Sequence, residues 1–232
     1  MIKKIPATIT AVRDLSETAR EVELTLSEPL EFLAGCFVNV FVPHEEKVSR
    51  RAYSISSSDK DSNMFTLTIR RSLNGEVSPL FWREDIVGTE VEVMGPLGLN
   101  TADKMLNHKV FLFGFGVGAG VVKSLAEHFV GDDNVTELVV MTGSRTDAEV
   151  IYQDWFDALA DKYPKLKVTY VVTDPTENSP YPKGFIQDHI TQYDFNQADV
   201  YVCGQEVACN GLQEKVKSFQ PVDCKFFVEA FH

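Results

Sequence analysis

The sequence has few cysteines, and they form no cluster-binding pattern. It contains four in 232 residues, and no two of them make a C-x-x-C motif. Their spacing also differs from the C-x4-C-x2-C pattern of plant-type iron–sulfur proteins. We therefore expect free thiols in a reducing compartment and no metal site. The four are Cys36, Cys203, Cys209 and Cys224.

Long apolar runs and an excess of positive charge are also absent. No segment approaches the roughly 18 consecutive apolar residues of a membrane-spanning helix. The N-terminus MIKKIPATITAV has neither the apolar core nor the cleavage site of a signal peptide. The net charge is −12, whereas nucleic acids and anionic membrane surfaces are bound mainly through Lys and Arg. We expect a soluble, cytoplasmic protein that binds neither nucleic acid nor membranes.

The first part of the chain is typical of an antiparallel β-barrel. Its short runs of β-forming residues alternate between apolar and polar, the pattern of half-buried strands. Six such strands with one helix-like piece, Ser78 to Asp85, predict a small closed barrel. The predicted strands are ATITAV, REVELTL, CFVNVFV, AYSIS, MFTLTIR and TEVEVM.

The second part has a different pattern, in which apolar strands alternate with helices. This alternation predicts a parallel, doubly wound sheet. We place the domain boundary in the polar stretch Asn100–Asn107, which gives domains of residues 1–103 and 104–232. The predicted strands are KVFLFGF, ELVVMTG, KVTYVVT, DVYVCG and CKFFVEAF, and the predicted helices are VVKSLAEHFV, AEVIYQDWFDALADKY, Phe185–Ile190 and NGLQEKVKSF.

A glycine-rich loop, FGFGVGAG at residues 113–120, joins the first parallel strand to its helix. Glycines allow a phosphate to approach the backbone, and the helix N-terminus offers free N–H donors. The glycines alternate and therefore do not match G-x-G-x-x-G cleanly, and the missing Lys-Ser/Thr excludes a triphosphate-binding P-loop. Glycines that merely pack the strand against the helix are the structural alternative.

Short motifs follow one another along essentially the whole chain. They are Arg51-Ala52-Tyr53-Ser54, Gly75-Glu76-Val77-Ser78, Gly95-Pro96-Leu97-Gly98, the glycine loop, Gly143-Ser144-Arg145, Cys203-Gly204 and Glu229-Ala230-Phe231. In this order they resemble the ferredoxin–NADP(+) reductase superfamily, in particular flavin reductases and oxygenase reductases. The resemblance implies a six-stranded antiparallel barrel that binds FAD, or FMN in some members. It also implies a following five-stranded parallel domain that binds NAD(P)H.

The resemblance assigns roles to residues of the first domain. Arg51 would hold the flavin pyrophosphate, Tyr53 would lie against the isoalloxazine ring, and Ser54 would reach flavin N5, the hydride acceptor. Ser78 would cap a helix whose N–H groups face the second phosphate. An ordinary surface, barrel or helix-cap role is the alternative for each. The other implied cofactor contacts are Ala52, Thr68, Ile69, Arg70, Gly75, Glu76 and Val77.

In the second domain, the resemblance assigns the pyrophosphate of the nicotinamide cofactor to Gly116, Val117 and Gly118. The family often has Gly-Gly-Thr-Gly here and a proline a few residues later, and this chain lacks both. Arg145 would lie beside the adenosine ribose. An arginine there favours the 2'-phosphate of NADPH, whereas the nearby Asp147 and Glu149 would repel it, so the preference between NADH and NADPH stays open.

The end of the chain would complete the reaction centre. The resemblance places Cys203 near the nicotinamide C4, with Gly204 beside it, and places Glu229 and Phe231 near the flavin. Ser54, Cys203 and Glu229 are thus the implied catalytic residues. A small buried hydrophobic side chain is the alternative role for Cys203. A terminal aromatic ring over the flavin would be Phe231 or His232.

The function that follows from the resemblance is transfer of a hydride from NAD(P)H to bound FAD. Electrons would then pass to an acceptor protein, either an iron–sulfur protein or an oxygenase, or to free flavin. One alternative is a non-catalytic module that binds flavin or nucleotide and senses redox state. Another is one module of a larger electron-transfer complex. The acceptor and the oligomeric state stay open.

Overall fold

The chain folds into two β-sheets, as the computed structural model shows for residues 2–44, 46–72 and 74–231. The first sheet is antiparallel, and its six strands lie in the order β4-β3-β6-β1-β2-β5. A bridge between Ile55 and Leu67 connects the two outer strands and closes the barrel. The strands are β1 (Lys3–Asp14), β2 (Ala19–Leu26), β3 (Phe37–His44), β4 (Lys47–Ser54), β5 (Met64–Arg70) and β6 (Glu90–Leu97).

The predicted six-stranded barrel is therefore confirmed, although one strand was placed wrongly. Strand β4 begins at Lys47, five residues before the predicted AYSIS. Its first half, KVSRR, has too few apolar residues to be recognised as a strand. Pairing with β3 imposes the extended conformation, since Val42 faces Ser49 and Val40 faces Arg51.

The predicted helix from Ser78 to Asp85 is a single 3-10 turn, Ser78–Trp82. Arg83 returns to an extended conformation and ends it. The prediction that Ser78 caps this helix is wrong, because no side chain caps the turn. The Ser78 hydroxyl instead accepts a hydrogen bond from the amide of Ser72 at 3.0 Å, which fastens the loop after β5.

The second sheet is parallel, with its five strands in the order β11-β10-β7-β8-β9. The order reverses between β7 and β10, and in such folds ligands bind at the carboxyl ends of the strands beside that reversal. The elements are β7 (Lys109–Phe115), α1 (Ala119–Phe129), β8 (Glu137–Ser144), α2 (Gln153–Lys162), β9 (Leu166–Val172), β10 (Ala198–Gln205), α3 (Glu206–Ser218) and β11 (Lys225–Phe231).

Two predicted helices of this domain differ from the structure. The stretch AEVIYQDWFDALADKY is not continuous, since Tyr152 has a left-handed backbone conformation, with φ of 62°, and α2 begins after it. The predicted helix Phe185–Ile190 is one 3-10 turn, Ile186–Asp188. The last strand of the first sheet ends at Leu97, and the first strand of the second sheet begins at Lys109. The exact domain boundary between residues 103 and 104 stays a prediction. In the described part of the chain, no helix is both long and apolar enough to cross a membrane.

Candidate functional site

Three residues from separate parts of the chain meet where the two domains face each other. Ser54 ends β4, and its hydroxyl donates a hydrogen bond to the carboxylate of Glu229 in β11. Glu229 in turn stands in register with Cys203, its neighbour on β10. The structure thus brings the three predicted catalytic residues together at the carboxyl end of the parallel sheet.

Burial determines the protonation of two of these groups. It raises the pKa of the Glu229 carboxyl, while the hydrogen bond from Ser54 opposes this shift. Burial also raises the pKa of the Cys203 thiol, and the charge of Glu229 acts in the same direction. Because thiolate is the nucleophilic form of cysteine, this thiol, which is buried in the core of the second domain, is not suited to covalent chemistry.

The space beside these residues is narrow. A cleft of about 10 Å³ lies against Cys203 and Glu229, and Asn100 and residues of α1 form its other wall. The Asn100 side chain donates to the carbonyl of Val228 at 2.7 Å, which holds the interdomain segment against β11. Little free volume therefore remains between α1 and this end of the parallel sheet.

The glycine loop packs directly on the end of β10. Residues Gly116–Gly118 form a 3-10 turn that leads into α1. A Cβ on Gly118 would lie 2.2 Å from the Cys203 carbonyl oxygen, so only glycine fits there. A Cβ on Gly116 would meet no atom within 4 Å. The loop that was predicted to hold the nucleotide pyrophosphate thus touches the backbone of Cys203 and leaves its Gly116 side open.

Alternate residues of β4 form a polar face that converges on Glu76. The Glu76 carboxylate accepts from the Ser49 hydroxyl at 3.0 Å and from the Lys47 ammonium at 3.4 Å. The Arg51 guanidinium lies 3.9 Å from the same carboxylate and is 53 % exposed. The hydrogen bond from Ser49, then Lys47 and Arg51, lower the pKa of Glu76. Arginine and lysine are the usual phosphate donors, but here both face the Glu76 carboxylate. The contact of Arg51 with a flavin pyrophosphate stays a prediction.

Sequence reasoning missed Lys47 and Ser49, whose signal is that they lie four and two residues before Arg51. Side chains at this spacing share one face of a strand. Tyr53 shares that face too, and its ring packs edge-on against Phe81, with 5.7 Å between centroids. The neighbouring Ala52 is exposed. Tyr53 is thus partly committed to the barrel core.

Several predicted cofactor contacts do not join these clusters. The Thr68 hydroxyl lies 2.7 Å from the Tyr152 hydroxyl of the second domain. Ile69 is fully buried in the barrel core, and Arg70 is exposed at the end of β5. Val77 is buried in the same core. These residues stay predictions as cofactor contacts, and any contact by Ile69 would involve its backbone.

The remaining predicted residues lie at the rim of the parallel sheet, except Gly75, which belongs to the barrel domain. Arg145 follows β8, and its carbonyl accepts from the amide of Asp174 at 2.7 Å. Asp147 accepts from the hydroxyls of Thr176 and Ser179, and the bond from Thr176 does most to lower the pKa of Asp147. Phe231 ends β11, partly buried against the core of the second domain, while His232 lies outside the described residues. Gly75 lies near Ser78 in the loop after β5, and Gly204 follows Cys203 in β10.

Comparison with family models divides the chain in the same place as its two sheets. Residues 6–101 match the oxidoreductase FAD-binding domain. Residues 112–213 match the oxidoreductase NAD-binding domain. The two matches follow each other without overlap and together cover most of the chain.

The curated relatives of this chain include longer proteins that belong to oxygenase systems. The phenol hydroxylase P5 protein of Acinetobacter pittii is 25 % identical over 217 residues, which is 89 % of this chain and 60 % of that protein. The toluate 1,2-dioxygenase electron transfer component of Pseudomonas putida is 28 % identical over 230 residues, 97 % of this chain and 67 % of that protein. The chain therefore spans about two thirds or less of these relatives.

Solved structures share the fold. The cytochrome P450 reductase GcoB of Amycolatopsis superposes with a TM-score of 0.90 at 24 % identity, covering 99 % of this chain and 70 % of that one. The ferredoxin reductase of carbazole 1,9a-dioxygenase gives a TM-score of 0.87, also at 24 % identity, covering 100 % and 70 %. At this identity the likeness establishes the arrangement of a barrel followed by a parallel sheet.

Proposed function

Because the chain belongs to the ferredoxin–NADP(+) reductase superfamily, with an FAD-binding domain before an NAD-binding domain, we propose that it oxidises NAD(P)H and passes the electrons to an acceptor protein. The observation that carries the proposal is the meeting of Ser54, Cys203 and Glu229 between the two domains. FAD, when bound, supplies the acceptor for the hydride. The protein supplies orientation and electrostatics.

Each cluster has one task in this proposal. Arg51, with Lys47 beside it, binds the flavin pyrophosphate and thereby fixes the flavin along β4. The glycine loop and the N-terminus of α1 receive the nucleotide phosphates. Cys203 packs beside the nicotinamide without bonding to it. The hydrogen bond between Ser54 and Glu229 keeps a polar pair, able to hold a proton, where the two ligands meet.

The acceptor and the setting are proposed from the relatives. The relatives named above serve phenol hydroxylase and toluate 1,2-dioxygenase, so we propose an oxygenase or its iron–sulfur protein as the acceptor. Within the described residues, no group of three or more His, Cys, Asp or Glu side chains could hold a metal ion. We therefore assign the iron–sulfur cluster to another domain or another chain. The net charge of −12 and the free cysteines support a cytoplasmic setting for the reaction.

A second candidate is a module that binds flavin and nucleotide without turnover. The glycine loop favours it, because Phe115-Gly116-Val117-Gly118 replaces the Gly-Gly-Thr-Gly of the family and the later proline is missing. This candidate predicts tight nucleotide binding together with slow or absent hydride transfer.

One experiment separates the two. The purified protein is saturated with FAD, made anaerobic and mixed with NADH or NADPH, while the visible flavin absorbance is followed. The reductase proposal predicts rapid bleaching with at least one nucleotide and recovery on addition of an oxidised iron–sulfur protein. Absence of bleaching with both nucleotides would contradict it, and nucleotide binding measured in the same samples would then support the sensing module.

A further inference from the structure

A second polar cluster joins the domains at a distance from the phosphate-binding face of β4. The barrel contributes Glu21 from β2 and Thr68 from β5. The second domain contributes Lys123 from α1 and Tyr152, which precedes α2. The contacts of Tyr152 and Lys123 with the barrel run between the domains, so they act on how the two domains are held relative to each other.

Tyr152 makes two hydrogen bonds into the barrel. Its hydroxyl donates to the Glu21 carboxylate at 2.8 Å and lies 2.7 Å from the Thr68 hydroxyl. A tyrosine hydroxyl has one proton, and because that proton goes to Glu21, the Thr68 hydroxyl must be the donor to Tyr152. All three groups therefore have fixed orientations at this contact.

The backbone of Tyr152 is strained. Its φ of 62° lies in the left-handed region, which a bulky side chain seldom adopts. Such a conformation persists only where the surroundings determine it. The buried ring and its two hydrogen bonds across the interface supply these surroundings. The strain thus marks Tyr152 as a residue placed for its side chain.

Lys123 makes the second link and is buried, with 8 % of its surface exposed. Its ammonium donates to the Ser56 carbonyl at 3.1 Å. The same charge lies 4.8 Å from the ring centre of Trp155 and 5.5 Å from that of Tyr152. Burial lowers the pKa of Lys123, and the carboxylates of Glu21 and Glu127 oppose this shift. A buried ammonium held by a carbonyl and two rings has little freedom to move.

The contacts of Tyr152 and Lys123 lie close in the chain to Ser54 and to the glycine loop. Ser56 is two residues beyond Ser54, and Lys123 is in the helix that follows the glycine loop. The first turn of α1 also touches β5, because a Cβ on Gly120 would lie 2.3 Å from the Thr68 hydroxyl oxygen. A shift at this interface would therefore move the glycine loop relative to Ser54.

We propose that Tyr152 and Lys123 are positioning residues, which fix the glycine loop of the second domain relative to Ser54 of the barrel. They touch neither ligand in the proposed function, on which this inference rests. Their effect is to set the distance and angle at which the nicotinamide meets the flavin. Hydride transfer depends steeply on such geometry, since a displacement of about 1 Å can slow a reaction about 100-fold.

The test compares Tyr152→Phe and Lys123→Met with the FAD-loaded wild type in anaerobic stopped-flow flavin reduction. Tyr170→Phe is the matched control, because this buried tyrosine donates to Asp157 at 2.6 Å within the second domain. We expect the limiting rate of each interface variant to fall about tenfold, with the half-saturating nucleotide concentration and the flavin Kd within about twofold of wild type. The control should retain the wild-type limiting rate.

A second readout does not depend on turnover. Amide hydrogen exchange in residues 119–124 and 66–68 should be faster in Tyr152→Phe than in wild type, and unchanged in Tyr170→Phe. Limiting rates and exchange equal to those of wild type would overturn the proposal, as would equal slowing in the control.

A third variant, changed in the barrel, keeps the test decisive if the first two variants fold poorly. Glu21→Gln weakens the same hydrogen bond to Tyr152, and we expect it to show the same loss of limiting rate and the same faster exchange. Wild-type behaviour of Glu21→Gln in both measurements would overturn the proposal. If wild type itself fails to reduce flavin, the proposed function fails, and the exchange comparison alone decides the positioning role.

Discussion

Ser54 and Glu229 are hydrogen-bonded to each other, although 175 residues separate them and they belong to different domains. The bond joins the end of β4 to the last strand of the parallel sheet. Cys203 stands beside Glu229 on the neighbouring strand. In the proposed function, this bond therefore marks the place where the flavin of the first domain meets the nicotinamide of the second.

Loss of the carboxylate should slow flavin reduction. With Glu229→Gln, we expect the limiting rate to fall about 100-fold or more, because a group that exchanges protons at a reaction centre contributes about that much. Flavin affinity should stay the same, since Glu229 lies away from the Arg51 face. Stopped-flow reduction measures the rate. Glu137→Gln is the control and should keep the wild-type rate, because Glu137 is a half-buried residue of β8 that pairs with Lys167.

The same variant should be more stable than wild type at neutral pH. The pKa of Glu229 is raised from 4.5 by burial, so ionisation costs the folded state stability as the pH rises through that raised value. Gln has no charge to bury. Urea unfolding should show a higher free energy of unfolding for Glu229→Gln at pH 8, and the gain should disappear below about pH 4.5. Equal stability at pH 8 would show that the hydrogen bond from Ser54 fully offsets the burial.

Removal of the Arg51 side chain should weaken flavin binding while the barrel stays folded. A charge-assisted hydrogen bond contributes about 1.5–3 kcal/mol, so Arg51→Ala should raise the flavin Kd about 10- to 150-fold. Fluorescence quenching on titration with FAD measures the Kd. Arg50→Ala is the matched control, since Arg50 is exposed on the opposite face of the same strand. Equal Kd values for the two variants would contradict the assignment of Arg51.

Two neighbouring glycines should respond differently to alanine. Gly118→Ala places a Cβ 2.2 Å from the Cys203 carbonyl oxygen, so the loop must leave β10, and we expect nucleotide affinity to fall at least about tenfold. The Cβ added by Gly116→Ala would meet no atom within 4 Å. The positive φ at this position should lower the free energy of unfolding by only about 1 kcal/mol. Calorimetric titration with NADH measures both affinities. Tight binding by Gly118→Ala would show that the close contact with Cys203 is not needed.

Sequence reasoning correctly predicted the parts of the structure that depend only on neighbouring residues. Alternation gave β5 its correct bounds, and the apolar strands of the second domain were recognisable one by one. The start of β4 was not, because Lys47 and Ser49 are extended only through their pairing with β3. Tyr152 was placed inside a helix for a similar reason, since the contacts with Thr68 and Glu21 that hold its left-handed backbone come from distant parts of the chain.

The ion pair between His128 and Asp59 should make stability depend on pH. The His128 ring lies 2.7 Å from the Asp59 carboxylate across the domain interface, and Asp59 also accepts from the amide of Ala34 at 3.1 Å. The hydrogen bond to Asp59 raises the pKa of His128 from 6.5. For Asp59, burial acts upward, yet the hydrogen bonds from His128 and Ala34 prevail and lower its pKa from 3.8.

The signs of these shifts fix the pH window. A raised histidine pKa stabilises the fold fully below about pH 6.5, and this stability is lost as the pH rises through the raised value. The lowered pKa of Asp59 stabilises the fold above about pH 3.8. We therefore expect wild type to exceed His128→Gln in free energy of unfolding by about 1 kcal/mol more at pH 5.5 than at pH 9. His189→Gln, whose ring bonds a carbonyl of its own domain, should show no such change, and a pH-independent difference for His128→Gln would mean that the pair contributes by packing alone.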